Sequence, residues 1–99
     1  MSRMAKGTVD ELKRVLIPQQ IRQTMGWDEN TTLVMTVNSA NRTITLDAAE
    51  NCNGGVLCHM DDICRIELSN EVCESVNINP KDVLTLEPDV ASGTLVISA

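Results

Sequence analysis

The sequence predicts a mainly β fold with two short helices, built from two β-β-α-β-β repeats. The first observation is an internal duplication, because residues 9–17 align without a gap with residues 60–68, which lie 51 positions later. The second is that apolar positions keep this register to the end of both halves, as in Leu33 with Leu84 and Ile44 with Leu95. A supersecondary unit that cannot bury its apolar face alone needs a second copy, so the two halves are predicted to fold together.

Each repeat is predicted to begin with two short strands around a tight connection. Their apolar residues are Leu12, Val15 and Ile17 in the first copy, and Ile63, Ile66 and Leu68 in the second. The segment 66–68 alternates apolar and polar residues, as a half-buried strand does. Pro18 then stops strand pairing and suits the first turn of a helix. Ser69, at the corresponding place in the second copy, suits a helix N-cap.

A two-turn helix is predicted in each repeat, over residues 19–25 and 70–76. Each helix places two apolar residues four positions apart, the pairs being Ile21 with Met25 and Val72 with Val76. This spacing puts both members of a pair on one face. Gly26 and Asn77 follow the helices, and both residue types tolerate a left-handed C-terminal cap. Helices this short are stable only when they pack against other elements.

A polar turn and a β-hairpin follow each helix. The hairpins are predicted from residues 33–37 with 43–46, and from residues 83–87 with 94–98. The Asn- and Gly-containing connections suit hairpin loops. We therefore predict one pseudo-twofold domain over residues 1–99, with repeat one at 8–47, a linker at 48–58 and repeat two at 59–98. The eleven linker residues span at most about 36–40 Å, enough for the repeats to interleave within one chain.

The composition argues against several classes of function. Trp27 is the only aromatic residue among 99, which disfavours a platform that stacks single-stranded bases. One histidine, no paired nucleophile and base, and no phosphate-binding glycine loop leave little for catalysis, so an enzyme is not expected. No apolar run reaches the 18 or more residues of a membrane span. The N-terminal residues do not lead into an apolar signal segment, so a cytoplasmic location is expected.

Four cysteines raise the question of a metal site. Cys52, Cys58, Cys64 and Cys73 are separated by five, five and eight residues, and no Cys-x-x-Cys pair occurs. That spacing does not match a zinc site, so we expect neither a metal nor another cofactor. The alternative is that Cys52, Cys58 and His59 gather a metal in the linker. Reduced, idle thiols are the default in the cytoplasm.

Charge is distributed unevenly between the halves. The net charge is −6, and residues 1–50 contribute nothing to it because six basic side chains balance six acidic ones. Residues 1–25 alone have five basic and two acidic side chains, whereas residues 59–76 have one basic and five acidic. Such asymmetry of charge between the halves indicates the kind of partner that the protein binds. The scaffold is therefore expected to have one basic edge and one acidic edge.

The first repeat resembles a known signature. Its residues Val9-Asp10-Glu11-Leu12-x-Arg14-Val15-x-Ile17-Pro18-x-x-Ile21-Arg22-x-x-Met25-Gly26 are similar to the motif of the AbrB/SpoVT/MazE swapped-hairpin family. The resemblance covers roughly residues 8–47 and 59–98, and two units in one chain look like the arrangement of the MraZ proteins. It implies a swapped-hairpin AbrB-like barrel. It also implies a bacterial DNA-binding transcription regulator, or an antitoxin that binds both DNA and a toxin.

The resemblance transfers some DNA-contacting positions and not others. Arg14 and Arg22 match DNA-contacting arginines of the family, whereas Gly7 and Gln23 stand at two further basic positions. Together with nearby Lys6 and Lys13, the two arginines form the predicted DNA-binding set on the first repeat. Four or five phosphates at most would be neutralised, for a log–log salt slope of about −4.

Two positions depart from the family in the tight connections. Lys13 and Cys64 replace the glycine that the family has before its arginine. A non-glycine residue is disfavoured wherever a positive φ is needed.

An Asp-x-x-x-Arg pair occurs in both repeats. Asp10 with Arg14, and Asp61 with Arg65, can form ion pairs within a repeat or across the two repeats. We favour a structural ion pair for Arg65, which has acidic neighbours, together with Asp61 and Asp10. We favour phosphate contact for Arg14.

Two other functions stay open. In one, an antitoxin-like or co-regulator module uses its acidic second repeat to bind a basic protein. In the other, the chain is purely a structural assembly module. A homo-oligomer is a further possibility, since the acidic and basic edges of different copies attract one another.

Overall fold

The computed structural model describes residues 4–28, 30–48 and 55–98. Its elements follow the order β-β-α-β-β twice. They are β1 (Ala5–Thr8), β2 (Arg14–Leu16), α1 (Gln19–Met25), β3 (Thr32–Asn38), β4 (Thr43–Ala48), β5 (Val56–His59), β6 (Arg65–Glu67), α2 (Asn70–Val76), β7 (Val83–Asp89) and β8 (Thr94–Ser98). The prediction of a mainly β chain with two short helices is confirmed. Strand β1 begins before the predicted repeat one, and β5 begins inside the predicted linker.

The strands of the two halves share one six-stranded antiparallel sheet, in the order β1-β7-β8-β4-β3-β5. Strand β1 pairs with β7 of the second half, and β5 pairs with β3 of the first half. Each half therefore places its first strand beside the other half. Strands β2 and β6 form a separate antiparallel pair, which we call the ribbon.

The two halves also meet at the middle of the sheet, where β4 pairs with β8. Ile44 lies opposite Ile97, and Leu46 lies opposite Leu95. These four side chains are fully buried and belong to a single hydrophobic cluster. The 51-residue offset makes Ile44 equivalent to Leu95 and Leu46 equivalent to Ile97, so the pairing is symmetrical. Burial of these aliphatic side chains from both halves is the main term that holds the fold together.

The predicted helices have the predicted bounds. Gly26 and Asn77 cap them in the left-handed region, with φ of 72° and 58°. Ser69 caps α2, because its hydroxyl accepts a hydrogen bond from the backbone N–H of Val72 at 3.3 Å. Ile21 of α1 and the apolar face of α2 are buried. Within the described ranges, neither helix has the length and apolar character needed to cross a bilayer.

An aspartate closes the turn between β1 and β2, and this turn differs from the prediction. The Asp10 carboxylate accepts hydrogen bonds from the backbone N–H groups of Leu12 at 3.0 Å and Arg14 at 2.7 Å. Asp10 N also donates to the Arg14 carbonyl at 2.9 Å. Leu12 therefore lies in a three-residue turn rather than in a strand, because the side chain of Asp10 takes the hydrogen bond of its N–H.

The equivalent turn between β5 and β6 has the same geometry. The Asp61 carboxylate accepts from Ile63 N at 3.1 Å and from Arg65 N at 2.8 Å. Ile63, like Leu12, is thus in the turn. The last turn residues, Lys13 and Cys64, have φ of 60° and 65°, as is usual for the third residue of such loops. The positions where the family has glycine therefore do require a positive φ.

Replacing Cys64 by glycine is expected to stabilise the fold. Relief of the left-handed conformation favours the folded state by about 1 kcal/mol. Thermal unfolding followed by circular dichroism measures the change. Cys64→Ala is the matched control, because it removes the partly buried thiol and keeps the strained φ. A Cys64→Gly protein that melts at or below the temperature of Cys64→Ala would contradict the strain.

Candidate nucleic-acid interface

The ribbon has one face toward the core and one toward solvent. Val15 and Ile66 lie opposite each other and are fully buried. Because side chains alternate along a strand, their neighbours point outward. These outward residues are Arg14, Leu16, Arg65 and Glu67. Arg14 is paired in register with Glu67, and Leu16 with Arg65, so the outer face carries two arginines, one carboxylate and one apolar residue.

Both arginines of this face are held by aspartates. Arg14 Nε lies 2.8 Å from Asp10 Oδ2, and Arg65 Nε lies 2.8 Å from Asp61 Oδ2. A longer contact of 3.6 Å joins Arg65 Nη1 to Asp10 Oδ2 and links the two turns. Sequence reasoning favoured an ion pair for Arg65 and phosphate contact for Arg14. In the structure the two arginines have the same local ion-pair geometry.

Hydrogen bonding shifts the titration of both aspartates. The hydrogen bond from the backbone N–H of Arg65 is the largest influence on Asp61 and lowers its pKa. Desolvation acts in the opposite direction, but the Ile63 N–H and the Arg65 guanidinium lower the pKa further. For Asp10, desolvation is the largest single influence and acts upward. Hydrogen bonds from Arg14 and Leu12, with the Arg14 charge, outweigh it, so the pKa of Asp10 is lowered from 3.8. These ion pairs therefore stabilise the fold above the unfolded-state pKa, and this contribution is lost as pH falls through the lower folded-state pKa.

Lys13 lies against the second helix. Its carbonyl oxygen accepts a hydrogen bond from Leu68 N at 2.8 Å. Its ammonium group donates to Asn70 Oδ1, at the start of α2, over 2.7 Å. Burial raises the pKa of the Cys73 thiol of α2, while the Lys13 charge lowers it and the Glu74 charge raises it. Lys13 thus sits beside the acidic helix.

Arg22 is at the opposite end of the ribbon. Its Nε donates to the carbonyl of Ile17 at 3.0 Å, and Ile17 N donates to the carbonyl of Cys64 at 3.0 Å. Lys13 and Ile17 flank β2 four positions apart, a separation of roughly 13 Å in an extended strand. The pairing of β2 with β6 therefore places Arg22 near the second turn and Lys13 beside α2.

Lys6 is at a third place. It is exposed on β1, and its Nζ donates to Thr85 Oγ1 of β7 at 3.0 Å. The predicted basic edge is therefore divided between β1, the ribbon and its two ends. Its members all lie in the first half of the sequence, but the pairing of strands between the halves puts them beside residues of the second half.

Apolar turn residues were not part of the sequence-predicted interface. Leu12 and Ile63 are 64% and 54% exposed, and Leu16 on the ribbon is 48% exposed. The turns direct these side chains outward because Asp10 and Asp61 fix the backbone beneath them. The matching positions of Leu12 and Ile63 in the 51-residue alignment were the signal that could have identified them as a pair.

The described residues include part of the alternative metal set. His59 Nε2 lies 3.0 Å from Thr32 Oγ1, and burial raises the pKa of Cys58 to about 11. Burial therefore makes the thiolate that a metal ligand requires harder to form at Cys58. In residues 4–28, 30–48 and 55–98, no three His, Cys, Asp or Glu side chains are grouped to hold a metal ion. Cys52 lies outside the described residues.

Comparison with other proteins adds no family assignment. Neither family models nor curated protein sequences match this chain. The interpretation of the ribbon thus depends on its geometry and on the resemblance of residues 9–26 to the swapped-hairpin signature. An open cleft of about 320 Å³ is lined by Leu57, Cys58, His59, Glu67 and Ser69, so it adjoins the ribbon at Glu67.

Proposed function

We propose that the protein is a DNA-binding transcriptional regulator of the AbrB type, with a swapped-hairpin barrel closed within one chain. The exchange of β1 and β5 between the halves supports this arrangement. So does the pairing of β2 with β6, since each strand follows an Asp-x-x-x-Arg turn. The resemblance of both repeats to the family signature supports the DNA-binding function.

The observation that carries the proposal is the exposed two-stranded ribbon with arginines on its outer face and cations at both ends. The major groove of B-DNA is about 12 Å wide and admits a two-stranded ribbon. Each aspartate binds the Nε of its arginine and so fixes the plane of the guanidinium that approaches DNA.

The ion pairs also limit affinity. Asp10 already balances the charge of Arg14, so Arg14 adds little net charge to the interface. Lys6, Lys13 and Arg22 are the cations left to displace counterions. At most three phosphate contacts are therefore available, which limits the log–log salt slope to about −3. We therefore expect modest affinity that several chains in an assembly would raise.

The double variant Arg14→Ala and Arg22→Ala is expected to lose DNA binding. Fluorescence anisotropy with a pooled random-sequence duplex, titrated from low to physiological salt, measures both the affinity and the slope. Arg42→Glu is the control, because it makes the same change in net charge at the exposed β3–β4 turn, which is not part of the ribbon. Equal losses in both proteins would assign the effect to overall charge and contradict the proposed interface.

A second candidate is a protein-binding module that uses the acidic second repeat. Glu67, Glu71 and Glu74 are exposed there, and they would attract a basic partner. The salt titration separates the candidates. A wild-type protein that binds no duplex even at low salt would exclude the DNA-binding proposal and leave this one.

A further inference from the structure

We infer that the chain engages duplex DNA from one end of the ribbon only, the end at α1. This inference depends on the proposed DNA-binding function and adds which end of the ribbon contacts the DNA. The two ends are defined by their contacts. The α1 end consists of α1 with the second turn, residues 61–65, and the α2 end consists of α2 with the first turn, residues 10–14.

Strand exchange builds both ends from mixed repeats. At the α1 end, Ile17 N bonds to the carbonyl of Cys64, and Arg22 bonds to the carbonyl of Ile17. At the α2 end, Leu68 N bonds to the carbonyl of Lys13, and Lys13 bonds to Asn70. The neutral Cys64 thus meets the basic helix, and the basic Lys13 meets the acidic helix.

The charges of the two ends differ as a result. The α1 end has two cations and two carboxylates, namely Arg22 and Arg65 with Asp61 and Asp62. The α2 end has two cations and four carboxylates, namely Lys13 and Arg14 with Asp10, Glu11, Glu71 and Glu74. Glu67 of β6, paired with Arg14, adds a fifth carboxylate beside it. A phosphate backbone is therefore tolerated at the α1 end and repelled at the α2 end.

The difference in charge between the two ends is clearest on the exposed surfaces of the two helices. In the 51-residue alignment, Glu71 stands opposite Gln20 and Glu74 opposite Gln23, and all four side chains are exposed. Glutamate and glutamine have nearly the same shape, so the two helix surfaces differ there mainly by two negative charges. The Debye length at physiological salt is about 8 Å. The charges of α2 therefore act on DNA at their own end more strongly than on DNA at the α1 end.

One consequence concerns the DNA that a single chain can occupy. A symmetrical two-repeat chain would contact both sides of a site about its pseudo-twofold axis. A chain that uses the α1 end alone contacts one side. Contact with both sides of a palindromic site then takes two chains, each presenting its α1 end.

The test exchanges the residues of the two helices. Glu71→Gln with Glu74→Gln gives α2 the side chains of α1 at those positions. Removal of two charges that repel DNA from the α2 end is expected to open this end to DNA and tighten binding to the random-sequence duplex by about fivefold at low salt. Asp89→Asn with Val90→Lys is the control, since it makes the same net-charge change at the exposed β7–β8 turn, some six residues or about 20 Å along β7 from the ribbon end.

The reciprocal variant tests the α1 end directly. Gln20→Glu with Gln23→Glu places two carboxylates beside Arg22 and is expected to weaken binding by at least about tenfold. Circular dichroism shows whether each variant keeps its fold.

Three outcomes are informative. Tightening in the α2 variant beyond its control, with loss in the α1 variant, supports one-ended binding. Wild-type binding that neither helix variant changes relative to the control overturns the inference while the proposed function stands. Absence of binding in the wild type and in the α2 variant overturns both.

Discussion

Replacement of Gly55 by alanine is expected to lower the free energy of unfolding by about 2–4 kcal/mol, the sum of backbone strain and overpacking. Gly55 precedes β5 and has φ of 95°, a conformation that side chains with a Cβ rarely adopt. A Cβ built there would lie 2.6 Å from the carbonyl oxygen of Met35 and 2.7 Å from Val34 Cγ1. Relief of these contacts requires β5 to move away from β3, which disrupts the exchanged strand.

Gly93 is the matched control for this substitution. It also has a positive φ, 71°, but a Cβ there meets no atom within 4 Å. Gly93→Ala therefore measures the conformational strain alone, about 1–2 kcal/mol. Chemical denaturation of both variants gives the comparison. Equal destabilisation would contradict the close approach of Gly55 to β3, because only the strain of φ would then be detected.

The helices could be predicted from the sequence because their signals are local. Apolar residues four positions apart, a serine N-cap at Ser69 and left-handed caps at Gly26 and Asn77 all lie within a few residues of each helix. The turns were only partly predicted. The need for a positive φ at Lys13 and Cys64 followed from the family resemblance, but the strand extent around Leu12 was wrong. The side-chain bonds of Asp10, which decide it, compete with strand pairing.

The strand pairing could not be predicted from the pattern of a single repeat. Strand β1 pairs with β7, and the two are separated by most of the chain. Apolar alternation shows which face of a strand is buried, but not which strand is its neighbour. Only the duplication indicated that the halves were complementary, and it did not specify which strands would be exchanged.

The same limit applies to the candidate site. Lys13 and Arg22 were placed on one basic edge because they are nine residues apart in one repeat. Their partners, Asn70 for Lys13 and Ile17 beside Cys64 for Arg22, put them at different ends of the ribbon. Charge counted along the sequence therefore described the repeats, whereas DNA would meet ends built from both repeats.

Leu46→Ala in β4 and Ile97→Ala in β8 are expected to destabilise the protein by similar amounts, about 2–5 kcal/mol each. The two positions are equivalent under the 51-residue offset, and both side chains are fully buried in the cluster that joins the halves. Removing either side chain leaves a cavity against the opposite strand. Each loss corresponds to a fall in melting temperature of at least about 8 °C for a domain of this size.

The shape of the unfolding curve carries further information. Because Leu46 pairs with Leu95, and Ile44 with Ile97, neither half can bury its central strand without the other. Both variants are therefore expected to unfold in one transition, displaced as a whole. Val90→Ala, at a side chain 60% exposed, is the control and should change stability by less than about 0.5 kcal/mol. If Leu46→Ala instead split the unfolding curve into two transitions, the halves would be independent folding units. The conclusion that they share one hydrophobic core would then be wrong.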